Sequence, residues 1–201
     1  MITTIILDIG MVLANFCWKE HIETWGLGEE IIDRVGKATV LGPYWGDLDR
    51  GVMSDEELKE LCCNLDTEMR PYIERFFQER EFLVEEFDYA LDLVKTLKAQ
   101  GYQVLLLSNY SDLGFSYVKQ KFKFYPHVDG GVISYEIKHI KPEPEIYEAL
   151  IDKYQFDPTK AVFLDDCLPN LEAAKKFGIH TIHFTGLEDA MGKLGQLGIK
   201  L

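Results

Sequence analysis

Five short segments, residues 2–7, 103–107, 131–134, 161–164 and 180–184, are nearly continuous runs of β-branched and other apolar residues. Runs of that length without polar alternation predict strands covered on both faces. Between the later runs the apolar positions recur every three or four residues instead. Over residues 88–100, Leu91, Val94 and Leu97 form one stripe, and Gly101 follows as a stop. Residues 144–154 carry Tyr147, Leu150, Ile151 and Tyr154 on one face, and residues 169–177 carry Leu171, Ala174 and Phe177, with Gly178 after the end. Strand and helix alternating from residue 88 onward predict a parallel α/β sheet.

Residues 15–87 break this rhythm. No strand is predicted there; residues 20–25, 29–39, 54–65 and 71–86 read as helices or helical turns. Ser54-Asp55-Glu56-Glu57 has the form of a capping box, with Leu58 and Leu61 following. The expected architecture is α/β: a doubly wound, Rossmann-like parallel-sheet core from residues 1–14 and 88–201, with a helical cap, residues 15–87, inserted after strand one. Ligands of open α/β sheets sit outside the carboxyl ends of the strands, so such a cap would hang over the site.

The residues at those strand ends form a coherent set. Strand one runs into Asp8, strand two into Ser108-Asn109, and Lys141-Pro142 follows strand three. Strand four runs into Asp165-Asp166, with Asn170 about one helical turn beyond. Asp8, Asp165 and Asp166 would crowd three carboxylates into one crevice, which is unfavourable unless cations sit among them. Lys141 supplies one positive charge, and hard oxygen donors suit Mg²⁺ as another. A cationic pocket suggests a phosphate substrate. Asp8, with a reference pKa of about 3.9, is ionised at neutral pH and can attack phosphorus to form an aspartyl-phosphate. Ser108 and nearby backbone N–H groups would hold the phosphoryl oxygens, with Asn109 beside them, while Lys141 neutralises the developing charge. Each residue also has a structural reading: Asp8 as a turn acid, Asp165 or Asp166 as an N-cap, Lys141 as a surface lysine, Asn170 as a hydrogen-bonding support.

Composition narrows the partners. The chain has 201 residues, 47% hydrophobic, with a formal net charge of -13 and no concentration of Lys and Arg. That is enough apolar material for a core, and it argues against a nucleic-acid partner. Cys17, Cys62, Cys63 and Cys167 match neither a zinc pattern nor a disulfide framework. The first apolar run is too short to span a membrane and lacks the basic start of a signal peptide. A cytoplasmic monomer or homodimer acting on a small phosphorylated molecule is the expectation.

The chain resembles the haloacid dehalogenase (HAD) superfamily. Asp8, Ser108, Lys141 and the Asp165-Asp166 pair stand in order at that family's four motif positions. The resemblance implies that Asp8 is the nucleophile, Asp166 the metal-binding acid and Asp165 its acidic neighbour at the metal. It also implies that Asp8 and the Gly10 carbonyl complete the Mg²⁺ ligands, and that the insertion is a helical cap. "LSN", "KPEPEIY", "VFLDDCLPNLEAAKKFGI" and "RGVMSDEEL" are similar to a subgroup with DxG rather than DxD at the start, whose members include a phosphatase acting on glucose 1-phosphate. Within the cap, Trp45 could stack on a sugar face and Asp47 accept its hydroxyls, or the aromatics could fill the cap core.

Gly10 leaves a gap in the chemistry. In most HAD phosphatases an Asp at that position protonates the leaving oxygen and then activates water, help worth roughly 10²–10⁴-fold in rate. Three accounts are open: a leaving group good enough without it, a substitute acid from the cap or the substrate, or lost catalysis. Competing functions are a 2-haloacid dehalogenase, which uses the same nucleophile on carbon without metal or paired acids, and a binding protein that retains the phosphate site. A phospho-receiver domain would have its acid pair after strand one and a lone Asp later, the reverse of this order.

Overall fold

The computed structural model describes residues 1–200. Its strands, in chain order, are β1 (Thr4–Leu7), β2 (Ala14–Phe16), β3 (Val84–Glu86), β4 (Gln103–Ser108), β5 (Gly130–Ile133), β6 (Ala161–Asp165) and β7 (His180–His183). Five of them make a parallel sheet ordered β5-β4-β1-β6-β7. β1 lies at its centre, with Leu7 level with Leu106 of β4 on one side and Leu164 of β6 on the other. Successive side chains serve opposite faces: Ile5 and Leu7 join one buried cluster, whereas Ile6 joins another. Two-sided burial is what the uninterrupted apolar runs encode, and it makes this the doubly wound α/β fold.

Five helices lie between β2 and β3: α1 (Trp18–Glu23), α2 (Glu29–Ala38), α3 (Trp45–Arg50), α4 (Asp55–Leu65) and α5 (Arg70–Gln78). They bury a core of their own, including Ile22, Val35, Leu58, Ile73 and Phe76. Ser54 caps α4 as expected: Glu57 N donates to its hydroxyl, and Ser54 N donates to the Glu57 carboxylate. Two expectations need correction. β2 and β3 pair as an antiparallel ribbon, Asn15 opposite Glu85, where no strand was expected. The helix anticipated over residues 71–86 stops at Gln78, and a 3₁₀ turn leads into β3. Strands of three residues are too short to show a period; they exist because they pair across the neck where the chain leaves the sheet and returns.

The remaining helices, α6 (Ala90–Ala99), α7 (Asp112–Lys121), α8 (Ser134–Ile137), α9 (Pro144–Tyr154), α10 (Leu168–Lys175) and α11 (Leu187–Gln196), follow β3. α6, α7 and α11 contribute to the cluster of Leu7, and α9 and α10 to that of Ile6. No described helix is long and apolar enough to cross a membrane. The four cysteines are unpaired.

One helix of the insertion, α3, is fastened to the sheet side at three points. Arg50 forms a two-pronged ion pair with Glu143 at 2.6 and 2.7 Å. Ser134 Oγ donates to the Asp49 carbonyl, and Lys138 Nζ donates to the Gly51 carbonyl, each at 2.5 Å. Gly51 is needed there: its φ is +70°, and a Cβ would meet the Tyr135 carbonyl oxygen at 2.9 Å. The hydrogen bonds from Arg50 hold the Glu143 carboxyl down, to about 2 from an ordinary 4.5. A carboxyl lowered in the folded state contributes stability that is complete above its ordinary value and fades as pH falls toward the folded one. Glu143→Gln should therefore unfold at a lower temperature than the wild type at pH 6, and the gap should close between about pH 4.5 and pH 2. Thermal unfolding across that range is the measurement; a gap independent of pH would refute the ion pair's contribution.

Candidate active site

Because β1 is central, the residue after it emerges between the ends of β4 and β6. Asp8 is 7% exposed and is gripped on both oxygens. Oδ1 accepts from Ser108 Oγ at 2.6 Å and from Ile9 N at 2.7 Å. Oδ2 faces Lys141 Nζ at 2.9 Å. The same ammonium reaches Asp165 Oδ2 at 2.7 Å, so one buried lysine bridges two buried carboxylates. Asn109 fixes the lysine's backbone: its Oδ1 accepts from Lys141 N at 2.7 Å and its Nδ2 donates to Lys141 O at 3.1 Å.

Asp165 and Asp166 differ in kind. Asp165 accepts from Lys141 Nζ, from Cys167 N at 2.7 Å, and from Asn170 Nδ2 at 3.1 Å on each oxygen. Asp165 therefore holds Lys141, while its carboxylate also stands within 4.8 Å of those of Asp8 and Asp166. Asp166 has no such donors among the described residues and lines the cavity beside Asp8 and Gly10. Tyr147 donates to the Asn170 carbonyl at 2.8 Å, steadying the residue that steadies Asp165.

The electrostatics follow from one ammonium among three carboxylates whose oxygens lie within 4.8 Å of one another. Burial pushes the Asp8 carboxyl above its ordinary range; Lys141 pulls it down and Asp165 pushes it further up. Burial and then Asp165 raise Asp166 likewise. For Lys141 burial works against the charge, yet Asp8 and Asp165 outweigh it and the ammonium is held above its usual value. Asp8 and Asp166 present hard, negatively charged oxygens whose mutual repulsion Lys141 does not cancel. That donor set fits a hard divalent cation such as Mg²⁺.

Above the carboxylates lies a cavity of about 530 Å³ between the sheet and the helical insertion. Asp8, Gly10, Asn109 and Asp166 line its floor, whereas Trp45, Leu48, Phe77, Leu113 and Tyr117 line its walls. Of the two cap candidates, Trp45 faces this space and also packs 6.3 Å from Phe16 and from Phe76. Asp47 is not among the lining residues. Helical geometry explains the difference: Trp45, Leu48 and Asp49 follow i, i+3, i+4 on one face of α3, and Asp47 falls off it. Asp49 is an acidic cavity residue that sequence reasoning missed, because a six-residue helix is too short for its i+4 spacing from Trp45 to stand out. Burial, followed by the charge of Asp8, pushes the Asp49 carboxyl up to about 7, with Lys141 opposing.

A profile of haloacid dehalogenase-like hydrolases matches residues 30–178. The chain belongs to that family. The D-ribitol-5-phosphate phosphatase of Bacteroides thetaiotaomicron is 26% identical over 195 residues, covering 90% of this chain and 91% of the relative. Acyl-CoA dehydrogenase family member 10 of Mus musculus is 29% identical over 96% of the chain, which spans only 19% of that longer protein. Among solved structures, a HAD family enzyme from Bacteroides thetaiotaomicron, in complex with magnesium and inorganic phosphate, aligns with a TM-score of 0.69 at 25% identity. That alignment covers 90% of this chain and 93% of the other.

Proposed function

We propose that the chain is a Mg²⁺-dependent phosphatase that hydrolyses a small phosphorylated metabolite through an aspartyl-phosphate on Asp8. The observation that carries this reading is the Asp8 carboxylate itself, fixed at the floor of a cavity by Ser108 and Lys141. In the first half-reaction an Asp8 oxygen bonds to phosphorus as the ester P–O bond breaks. In the second, water attacks that phosphorus, the Asp8–phosphorus linkage breaks, and inorganic phosphate leaves. Lys141 neutralises charge on the transferring group, and the Ser108 hydroxyl orients Asp8 and the phosphoryl oxygens. Asn109 acts by locking the Lys141 backbone, and Asp165, aided by Asn170, fixes the ammonium. Asp8, Asp166 and the Gly10 carbonyl would hold Mg²⁺, which when bound neutralises Asp8 and the phosphate and keeps the nucleophile ionised.

A sugar or polyol phosphate is the first substrate class, supported by the relative named for D-ribitol 5-phosphate. Trp45 would stack against its carbon face, a role the cavity wall allows. A second reading rests on the rest of that wall: Phe77, Leu113 and Tyr117 favour an ester whose organic part carries an apolar group. A panel of sugar, polyol, alkyl and aryl phosphates separates the two. Phosphate release in Mg²⁺ should fall to background when EDTA is added and return with excess Mg²⁺. No release from any ester would overturn the phosphatase reading, and chloride release from 2-chloropropionate unaffected by EDTA would replace it with a dehalogenase.

A further inference from the structure

A phosphatase that releases an alkoxide-type leaving oxygen at this site has to deliver a proton to it, and Gly10 supplies none. A Cβ built at Gly10 meets nothing within 4 Å, so the space beside the nucleophile is open rather than filled by another group. Across it stands α3. Asp49 lines the same cavity as Asp8, Gly10 and Asp166, and its carboxyl feels both the Asp8 and the Lys141 charges. Its position is not left to a freely moving cap. The Asp49 carbonyl is tied to Ser134, the next residue binds Glu143, and the one after binds Lys138. Ser134 Oγ also accepts from Tyr110 N at 2.9 Å, which joins this anchor to the loop after Ser108.

The partners of the other acids sharpen the contrast. Asp8 accepts from Ser108 Oγ and Ile9 N and faces Lys141, and Asp165 accepts from Lys141, Asn170 and Cys167 N. Asp166 sits with the metal-binding set. Among the described residues, no hydrogen bond or ion pair engages the Asp49 carboxylate. An acid carried into a catalytic cavity, held in place by its own backbone and left without a side-chain partner, is free to exchange a proton with a substrate.

We propose that Asp49 is the general acid and base of the reaction, replacing from the cap the side chain absent at Gly10. This rests on the phosphatase reading above. As the ester P–O bond breaks, the Asp49 carboxyl gives its proton to the leaving oxygen. The resulting carboxylate then takes a proton from water as the water oxygen bonds to phosphorus and the Asp8–phosphorus bond breaks. The carboxyl is thereby regenerated and no other reactant is needed.

The test is Asp49→Asn on two substrates, an alkyl phosphate and p-nitrophenyl phosphate, in rapid-mixing and steady-state assays. Nitrophenolate leaves without a proton, so the variant should release about one equivalent per chain in a burst and then turn over slowly. Alkyl phosphate turnover should fall by roughly 10²–10⁴-fold without a burst. Adding Gly10→Asp to Asp49→Asn should restore at least part of the alkyl activity, since the site has room for that side chain. Asp49→Asn that hydrolyses the alkyl ester within about threefold of wild type refutes the proposal and leaves the phosphatase reading intact. Equal loss on both substrates with no burst, and no gain from Gly10→Asp, also refutes it, as a merely positional role. A wild-type chain inactive on every ester refutes the phosphatase reading itself.

Discussion

Asp8→Asn should abolish phosphate release, by at least about a thousandfold, while leaving the chain folded. The amide is a poor nucleophile, so the covalent step has no substitute. The fold should tolerate the change because the site does not need that charge for cohesion. Asparagine keeps an oxygen to accept from Ser108 Oγ and Ile9 N, and Lys141 keeps Asp165 at 2.7 Å. Removing a carboxylate whose ionised form burial penalises offsets the loss of its contact with Lys141. Unfolding in urea should therefore change by no more than about 1 kcal/mol. Phosphate release retained by this variant would sink the assignment of Asp8 as nucleophile.

Lys141→Met should do the opposite to stability. Methionine fits a buried, largely apolar stem, but it removes the single ammonium between Asp8 and Asp165. Asp165 is wholly inaccessible, so it cannot recruit water in place of the lost ammonium, and Asp8 is 7% exposed. Breaking a buried charged network by deleting one partner costs about 3–5 kcal/mol, and urea denaturation at neutral pH should show a loss of that size. The sign with pH follows. Asp8, already pushed up by burial, would lose the Lys141 charge that pulls it down, so the destabilisation is least at low pH, where it is protonated. It grows as pH rises through the ordinary range of that carboxyl. Activity should vanish with stability only partly lost. A variant as stable as wild type at neutral pH would show that Lys141 does not hold the two acids together.

The contrast between those two variants comes from the wiring of the site, and only part of that wiring was legible in the chain. Asp8, Ser108 and Asp165 were readable because each closes a strand whose apolar run announces itself, and Lys141 because it follows the third such run. The distinct jobs of Asp165 and Asp166 were not readable. They are neighbours with the same side chain, and only the direction in which each leaves β6 puts one among donors and the other at the cavity. Asp47 and Asp49 show the same limit: the six-residue helix that sorts them is too short to carry a clear period. The ribbon of β2 and β3 was missed for that reason as well.

What the sequence by itself determined is local and repetitive: which segments are strands buried on both faces, which are amphipathic helices, where caps and stops fall, and which polar residues stand at strand ends. Those follow from side-chain periodicity, which any window of the chain displays. The tertiary structure decided what depends on distance through space. It placed β1 between β4 and β6, so that Asp8 meets Ser108, Lys141 and Asp165 from remote parts of the chain. It surrounded Asp165 with donors and left Asp166 without them. It also fastened α3 across the opening, bringing Asp49 to the space that Gly10 leaves empty, because burial, hydrogen-bond saturation and charge coupling exist only once separate segments share a volume.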